Sequence, residues 1–93
     1  MIGSFKDTRL EALWSLQSVK GFGHDVAKAI RRKLVMLEAA TDINQLRIPP
    51  ANHLERLKGD RSAQYSLRVN DQWRLCFVWE RGRAEGIELV DYH

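Results

Sequence analysis

A chain of 93 residues with 44% hydrophobic and 29% charged side chains has room for one modest core and too much apolar content for a disordered segment. Its single cysteine, Cys76, excludes an internal disulfide and a cysteine-only zinc site, and no apolar run nears the roughly 20 residues that cross a bilayer. The net charge is only +3, yet residues 47–83 hold eight basic and four acidic side chains, whereas residues 84–93 hold three acids and neither Lys nor Arg. That distribution suits a polyanionic partner without requiring one.

Residues 1–5 read as a short strand, and the opening Met1-Ile-Gly-Ser-Phe-Lys has neither the charged start nor the apolar stretch of a signal peptide. A cytoplasmic protein is therefore expected. Thr8 with Glu11 has capping-box spacing, and Leu10, Leu13, Trp14 and Gln17 follow at helical intervals, which predicts a helix from residue 8 to about 18. Lys20-Gly-Phe-Gly-His24 breaks it. A second helix opens at His24 or Asp25 and runs to about Ala40. Val26, Ile30, Leu34 and Leu37 share one face, and Arg31-Arg32-Lys33 reads as a solvated face. A short turn follows around Ile43 to Leu46, and Pro49-Pro50 rules out helix continuation.

Beyond the prolines the period becomes two. Leu54 to Leu57 reads as a short strand. Tyr65, Leu67 and Val69 then alternate with Gln64, Ser66 and Arg68, and Asn70-Asp71 supplies turn chemistry. Trp73, Leu75, Phe77 and Trp79 alternate with Arg74, Cys76, Val78 and Glu80; Arg81-Gly82-Arg83 can turn, and Ile87 to Tyr92 reads as a last strand. No repeat or linker divides the chain, so one domain over residues 1–93 is expected. The class is α+β: two N-terminal helices on one face of a small, mainly antiparallel sheet of four or five strands. If the tryptophans and Phe77 pack under the helices, Arg74, Cys76 and Arg68 emerge on an open face.

Standard motifs are absent. There is no Gly-rich phosphate loop, no nucleophile elbow and no metal-ligand spacing, and His24, His53 and His93 share no ligand pattern. Chemistry-bearing residues concentrate in Asn52 to Arg61, which on its residues alone reads first as a polar hairpin loop, and in Asp91-Tyr92-His93. Ile87, Leu89 and Val90 lead into the latter and favour a docked strand over a frayed end. Cys76 reads as a packed residue rather than a nucleophile.

The run Pro49-Pro-Ala-Asn-His-Leu-Glu-Arg-Leu-Lys-Gly-Asp-Arg61, with Gln64-Tyr65-Ser66, Asn70-Asp-Gln-Trp-Arg74 and Val90-Asp-Tyr-His93, resembles HigB-type toxins, the plasmid-maintenance killer proteins of the RelE/ParE superfamily. Ile2-x-Ser4-Phe5 and Met36-Leu-x-Ala-Ala40 extend the resemblance to essentially the whole chain. It implies a RelE/ParE-like fold and a ribosome-dependent endoribonuclease that cuts translated mRNA. In such enzymes the 2′-hydroxyl attacks the adjacent phosphate, with no metal or cofactor. It also implies a helix-turn-helix antitoxin of the HigA type, the ribosome as partner, and no membrane.

On that resemblance, Lys58 matches the family's lysine, Asp91, Tyr92 and His93 its terminal triplet, and Arg74 an arginine on RNA phosphate. His93 is expected to transfer protons, because an imidazole titrates near neutrality. Lys58 and Arg74 are expected to stabilise the pentavalent phosphate, and Asp91 and Tyr92 to position His93. Glu55 stands where some members have a histidine. It is expected to take the 2′-proton or orient another group, with His53 on the same face if the segment is extended. Arg61, Arg68, Arg74 and His53 complete the expected RNA contacts. As the last residue here, His93 would also bring its α-carboxylate beside the site. Two other readings remain open at this point: a toxin that acts by binding, like the gyrase-poisoning branch, and an inactive RNA- or ribosome-binding remnant.

Overall fold

The computed structural model describes residues 1–61 and 63–92, with Arg61 described through its backbone alone. Ile2 and Phe5 do not build the expected strand. Each forms an isolated parallel bridge, to Ala84 and Ile87 respectively. Helix α1 spans Thr8–Trp14, and Asp7 rather than Thr8 caps it. The Asp7 carboxylate accepts from the Arg9 amide at 3.0 Å and from its guanidinium at 3.0 and 2.8 Å, so Thr8 is already inside the first turn. The helix stops at Trp14, short of the expected end. Leu16 turns left-handed with φ 63°, and the amides of Leu16 and Gln17 reach back to the carbonyls of Leu13 and Ala12. Those two bonds form a Schellman stop, with leucine where glycine is usual.

Helix α2 spans His24–Ala39 and buries Ile30, Leu34 and Leu37 as expected. The expectation for Arg31-Arg32-Lys33 fails in part. Lys33 stands three and four residues from Ile30 and Leu37, so it shares their face, and it is buried. Arg31 donates from Nε to the Leu13 carbonyl at 3.1 Å, which leaves Arg32 exposed. The turn at Ile43–Arg47 is a 3-10 helix with a complete capping box from Asp42 and Gln45.

Four antiparallel strands follow in the order β1 (Glu55–Arg56), β2 (Gln64–Arg68), β3 (Trp73–Glu80) and β4 (Arg83–Asp91). Asn70 Oδ1 accepts from the amides of Gln72 and Trp73 and so builds the β2–β3 turn. Arg81 and Gly82 both have positive φ, the geometry whose twist matches a tight hairpin. β4 starts at Arg83, four residues earlier than expected, because a bulge around Gly86 preserves its pairing: the register shifts between Cys76 and Val78, and Gly86 has φ 61°. Nothing lies within 4 Å of a Cβ built at Gly86, so Gly86→Ala should cost only the left-handed backbone penalty, about 1–2 kcal/mol, measurable by chemical denaturation.

Leu10, Leu13, Ile30, Leu34 and Leu37 from the helices meet Leu67, Leu75, Phe77, Ile87 and Leu89 from the sheet in one core. The fold is therefore α+β with both helices on one face of the sheet. Among the described residues no helix is long and apolar enough to cross a membrane.

Candidate functional site

The opposite face of the sheet carries the candidate site. Directly paired residues of antiparallel strands project to the same side, so register alone aligns Glu55, Ser66, Cys76 and Glu88 in one row across all four strands. The next row pairs Arg68 with Arg74 and Arg74 with Val90, and Tyr92 continues the phase of Val90. A groove of about 350 Å³ opens here, lined by Leu57, Lys58, Cys76, Val90 and Tyr92.

This face is less open than the alternation suggests. Arg74 is only 6% exposed and Cys76 is buried, which corrects the expectation that both emerge into solvent. The cover comes from segments distant in sequence. Arg74 Nε donates to Ser66 Oγ at 2.8 Å, and its Nη2 donates to the carbonyls of His53 and, at 3.4 Å, Ser66. The guanidinium carbon lies 5.2 Å from the centre of the Tyr92 ring, a cation–π distance. Nη1 carries no bond among the described residues.

Like charges placed directly opposite on a sheet repel, and Arg68 stands opposite Arg74. Arg68 is instead paired with Asp71 in the turn, which draws its charge toward the end of the strand. The expected RNA contact of Arg68 thus lies at the groove's margin and competes with that pair.

The other expected residues divide. Lys58 is exposed and on the groove wall; Tyr92, 47% exposed, forms the opposite lip. Glu55 is exposed on the groove face, one row from Arg74. His53 does not join it as an extended neighbour. It ends the 3-10 turn Pro50–Asn52 in the left-handed region, with φ 43° and ψ 55°, and it contributes its carbonyl to Arg74 while remaining exposed. Asp91 is registered with Trp73, hence on the helix-side phase, and it accepts from Gln72 Nε2 at 3.3 Å. Its carboxylate does not line the groove. The Arg61 side chain and His93 lie outside the described residues.

Ser66, Leu57 and Val90 were missed by sequence reasoning. Only the alternation around Ser66 signalled its face, and nothing local marked it as the acceptor for a buried guanidinium. A larger depression of about 430 Å³ lies between Glu80, Arg81, Arg83 and Glu85. It sits about 20 Å from Arg74 along β3 and balances two acids against two arginines.

A model of the family described as the RelE-like toxin of type II toxin-antitoxin system HigB matches residues 3–93. The chain belongs to this HigB family. Curated relatives are similar to the chain as well. An uncharacterized protein of Haemophilus influenzae is 45% identical over 62 residues, 67% of this chain and 61% of that protein. Toxin HigB-1 of Vibrio cholerae is 46% identical over 67 residues, 72% of this chain and 66% of that toxin. The chain thus spans less than two thirds of the length of both. Endoribonuclease HigB of Proteus vulgaris is 32% identical over 93 residues, the whole of both chains. The family is described by its toxins of type II toxin-antitoxin systems, and in this chain Lys58, Arg74 and Tyr92 gather at the groove.

Proposed function

We propose that the chain is a ribosome-dependent endoribonuclease that cuts mRNA during translation, works in the cytoplasm, and is restrained by a helix-turn-helix antitoxin of the HigA type. The observation that carries this reading is the convergence of Lys58, Arg74 and Tyr92 on one groove, in a chain that aligns over its full length with a relative named an endoribonuclease.

Cleavage of RNA without an external nucleophile needs a base at the 2′-hydroxyl, cations at the phosphate and an acid at the leaving oxygen. Glu55, on the groove face, takes the 2′-proton. The bond between O2′ and phosphorus forms as the bond from phosphorus to O5′ breaks. Lys58 and the Nη1 edge of Arg74 stabilise the charge that builds on the pentavalent phosphate. His93 delivers a proton to O5′, and Asp91 orients His93 from the end of β4. The products are a 2′,3′-cyclic phosphate and a 5′-hydroxyl. Tyr92 holds the guanidinium from above and offers a ring on which a base can stack.

Lys58 provides the first test. Its side chain is solvent-exposed, so Lys58→Met should keep the melting temperature. Single-turnover cleavage of mRNA on ribosomes should fall by about 10²-fold, the usual effect of removing one charge-stabilising group. A folded Lys58→Met protein that cleaves at the wild-type rate would remove Lys58 from the mechanism. Growth arrest with intact transcripts would favour a toxin that acts by binding.

A further inference from the structure

Behind the groove lies a buried polar chain that the proposed reaction does not use. Asn52 is completely buried. Its amide nitrogen donates to the carbonyls of Leu46 at 3.1 Å and Ile48 at 3.4 Å and contacts Met36 Sδ at 3.6 Å. Its Oδ1 accepts from Lys33 Nζ at 2.6 Å. The ammonium of Lys33 meets no carboxylate among the described ion pairs, so its charge inside the protein is answered by a neutral amide. Burial, then nearby Arg32 and Arg68, pushes the Lys33 amine below its ordinary pKa. A buried cation held this way is costly as pure stabilisation, since an apolar pair of similar volume would avoid the desolvation.

The next residue is where this network meets the site. His53, directly after Asn52, is fixed in the left-handed region, where a residue with a Cβ is strained. In that conformation its carbonyl accepts from Arg74 Nη2. Lys33, Asn52, the His53 carbonyl, Arg74 and the Tyr92 ring therefore form one continuous line from helix α2 to the lip of the groove.

We propose that Asn52, clamped by Lys33, is a positioning residue: it fixes the His53 carbonyl, and through it the orientation of the Arg74 fork and the Tyr92 ring. This rests on the nuclease reading for its functional consequence, but the geometric link is measurable without activity. Ser66 Oγ and the His53 carbonyl hold Arg74 from two directions. Losing the second lets the guanidinium swing about the first.

The test is a double-mutant cycle. Asn52→Ala should lower single-turnover cleavage about tenfold with ribosome affinity unchanged, and adding it to Arg74→Ala should produce no further loss, because its effect passes through Arg74. Independently of cleavage, the Arg74 Nη2 protons, bonded to the His53 carbonyl, should exchange slowly with solvent in the wild type and faster in Asn52→Ala by NMR. Additive losses, or unchanged Arg74 exchange in the folded variant, overturn the proposal. Should Asn52→Ala fail to fold, Lys33→Met cuts the same line while leaving the Leu46 and Ile48 bonds in place, and the same two readouts decide. An inactive wild type contradicts the nuclease reading alone, since the exchange measurement still decides the linkage.

Discussion

Replacing Arg74 by alanine should abolish most cleavage and weaken the fold at once. The guanidinium is buried and serves three acceptors, Ser66 Oγ, the Ser66 carbonyl and the His53 carbonyl. Removing it strands those acceptors beneath Tyr92, and hydrogen bonds to a charged group are each worth about 1.5–3 kcal/mol. A stability loss of about 2–4 kcal/mol by urea denaturation is expected, since relaxation and water entry recover part of that sum. At the phosphate, loss of a preorganised cation should lower single-turnover cleavage by about 10²–10³-fold. Arg74→Lys separates the two effects. It keeps the charge but has no planar fork to satisfy Ser66 and His53 together, so it should retain more cleavage than alanine while remaining destabilised. A stable, fully active Arg74→Ala protein would contradict both roles.

The largest effect on stability should come from Phe77→Ala. Phe77 is fully buried at the centre of β3, paired with Tyr65 across the strands. Its ring stands 6.4 Å from those of both Tyr65 and Trp79. Truncation removes the apolar contact and leaves a cavity that the surrounding helices only partly close, at about 3–5 kcal/mol. For a domain of this size the melting temperature should fall by roughly 15–30 °C, a large share of a total stability of about 5–15 kcal/mol. Phe77→Leu retains most of the volume and should lose far less. Calorimetry of the two variants checks the difference, and equal losses would mean that the cavity is not the cause.

The sheet was legible because its strands alternate cleanly. Trp73 to Glu80 was bounded to the residue by period two alone, and its apolar phase correctly faces the helices. What alternation cannot report is the cover on the other side. Arg74 is buried because the Pro50–His53 turn and Tyr92 arrive over it from elsewhere in the chain, and Cys76 lies at the groove with Leu57, Lys58, Val90 and Tyr92. Helix α1 was overrun for a related reason. Its stop depends on backbone bonds from Leu16 and Gln17, and leucine gives no sequence signal for a left-handed residue. Lys33 reads as one of three solvated cations until Asn52 is placed beside it. In the site, Lys58, Arg74 and Tyr92 were legible through the family resemblance, and the structure brings them together. The reading of His53 as an extended neighbour of Glu55 failed because the preceding 3-10 turn rotates it away. Asp91 falls on the opposite phase, which period two could have indicated once β4 was paired with Trp73.

The proposed reaction, cleavage of mRNA on the ribosome by internal attack of the 2′-hydroxyl, leaves chemically distinct ends. The most direct measurement incubates the purified protein with ribosomes programmed with a defined mRNA, and in parallel with the naked mRNA, and then maps and chemically types the new ends. Cuts within the reading frame are expected only when ribosomes are present. The new 5′ ends should be hydroxyls that accept phosphate from a kinase without prior dephosphorylation, and the upstream fragments should end in cyclic phosphate. Intact mRNA from a protein that still arrests growth, or 5′-phosphate ends, would contradict the proposed reaction.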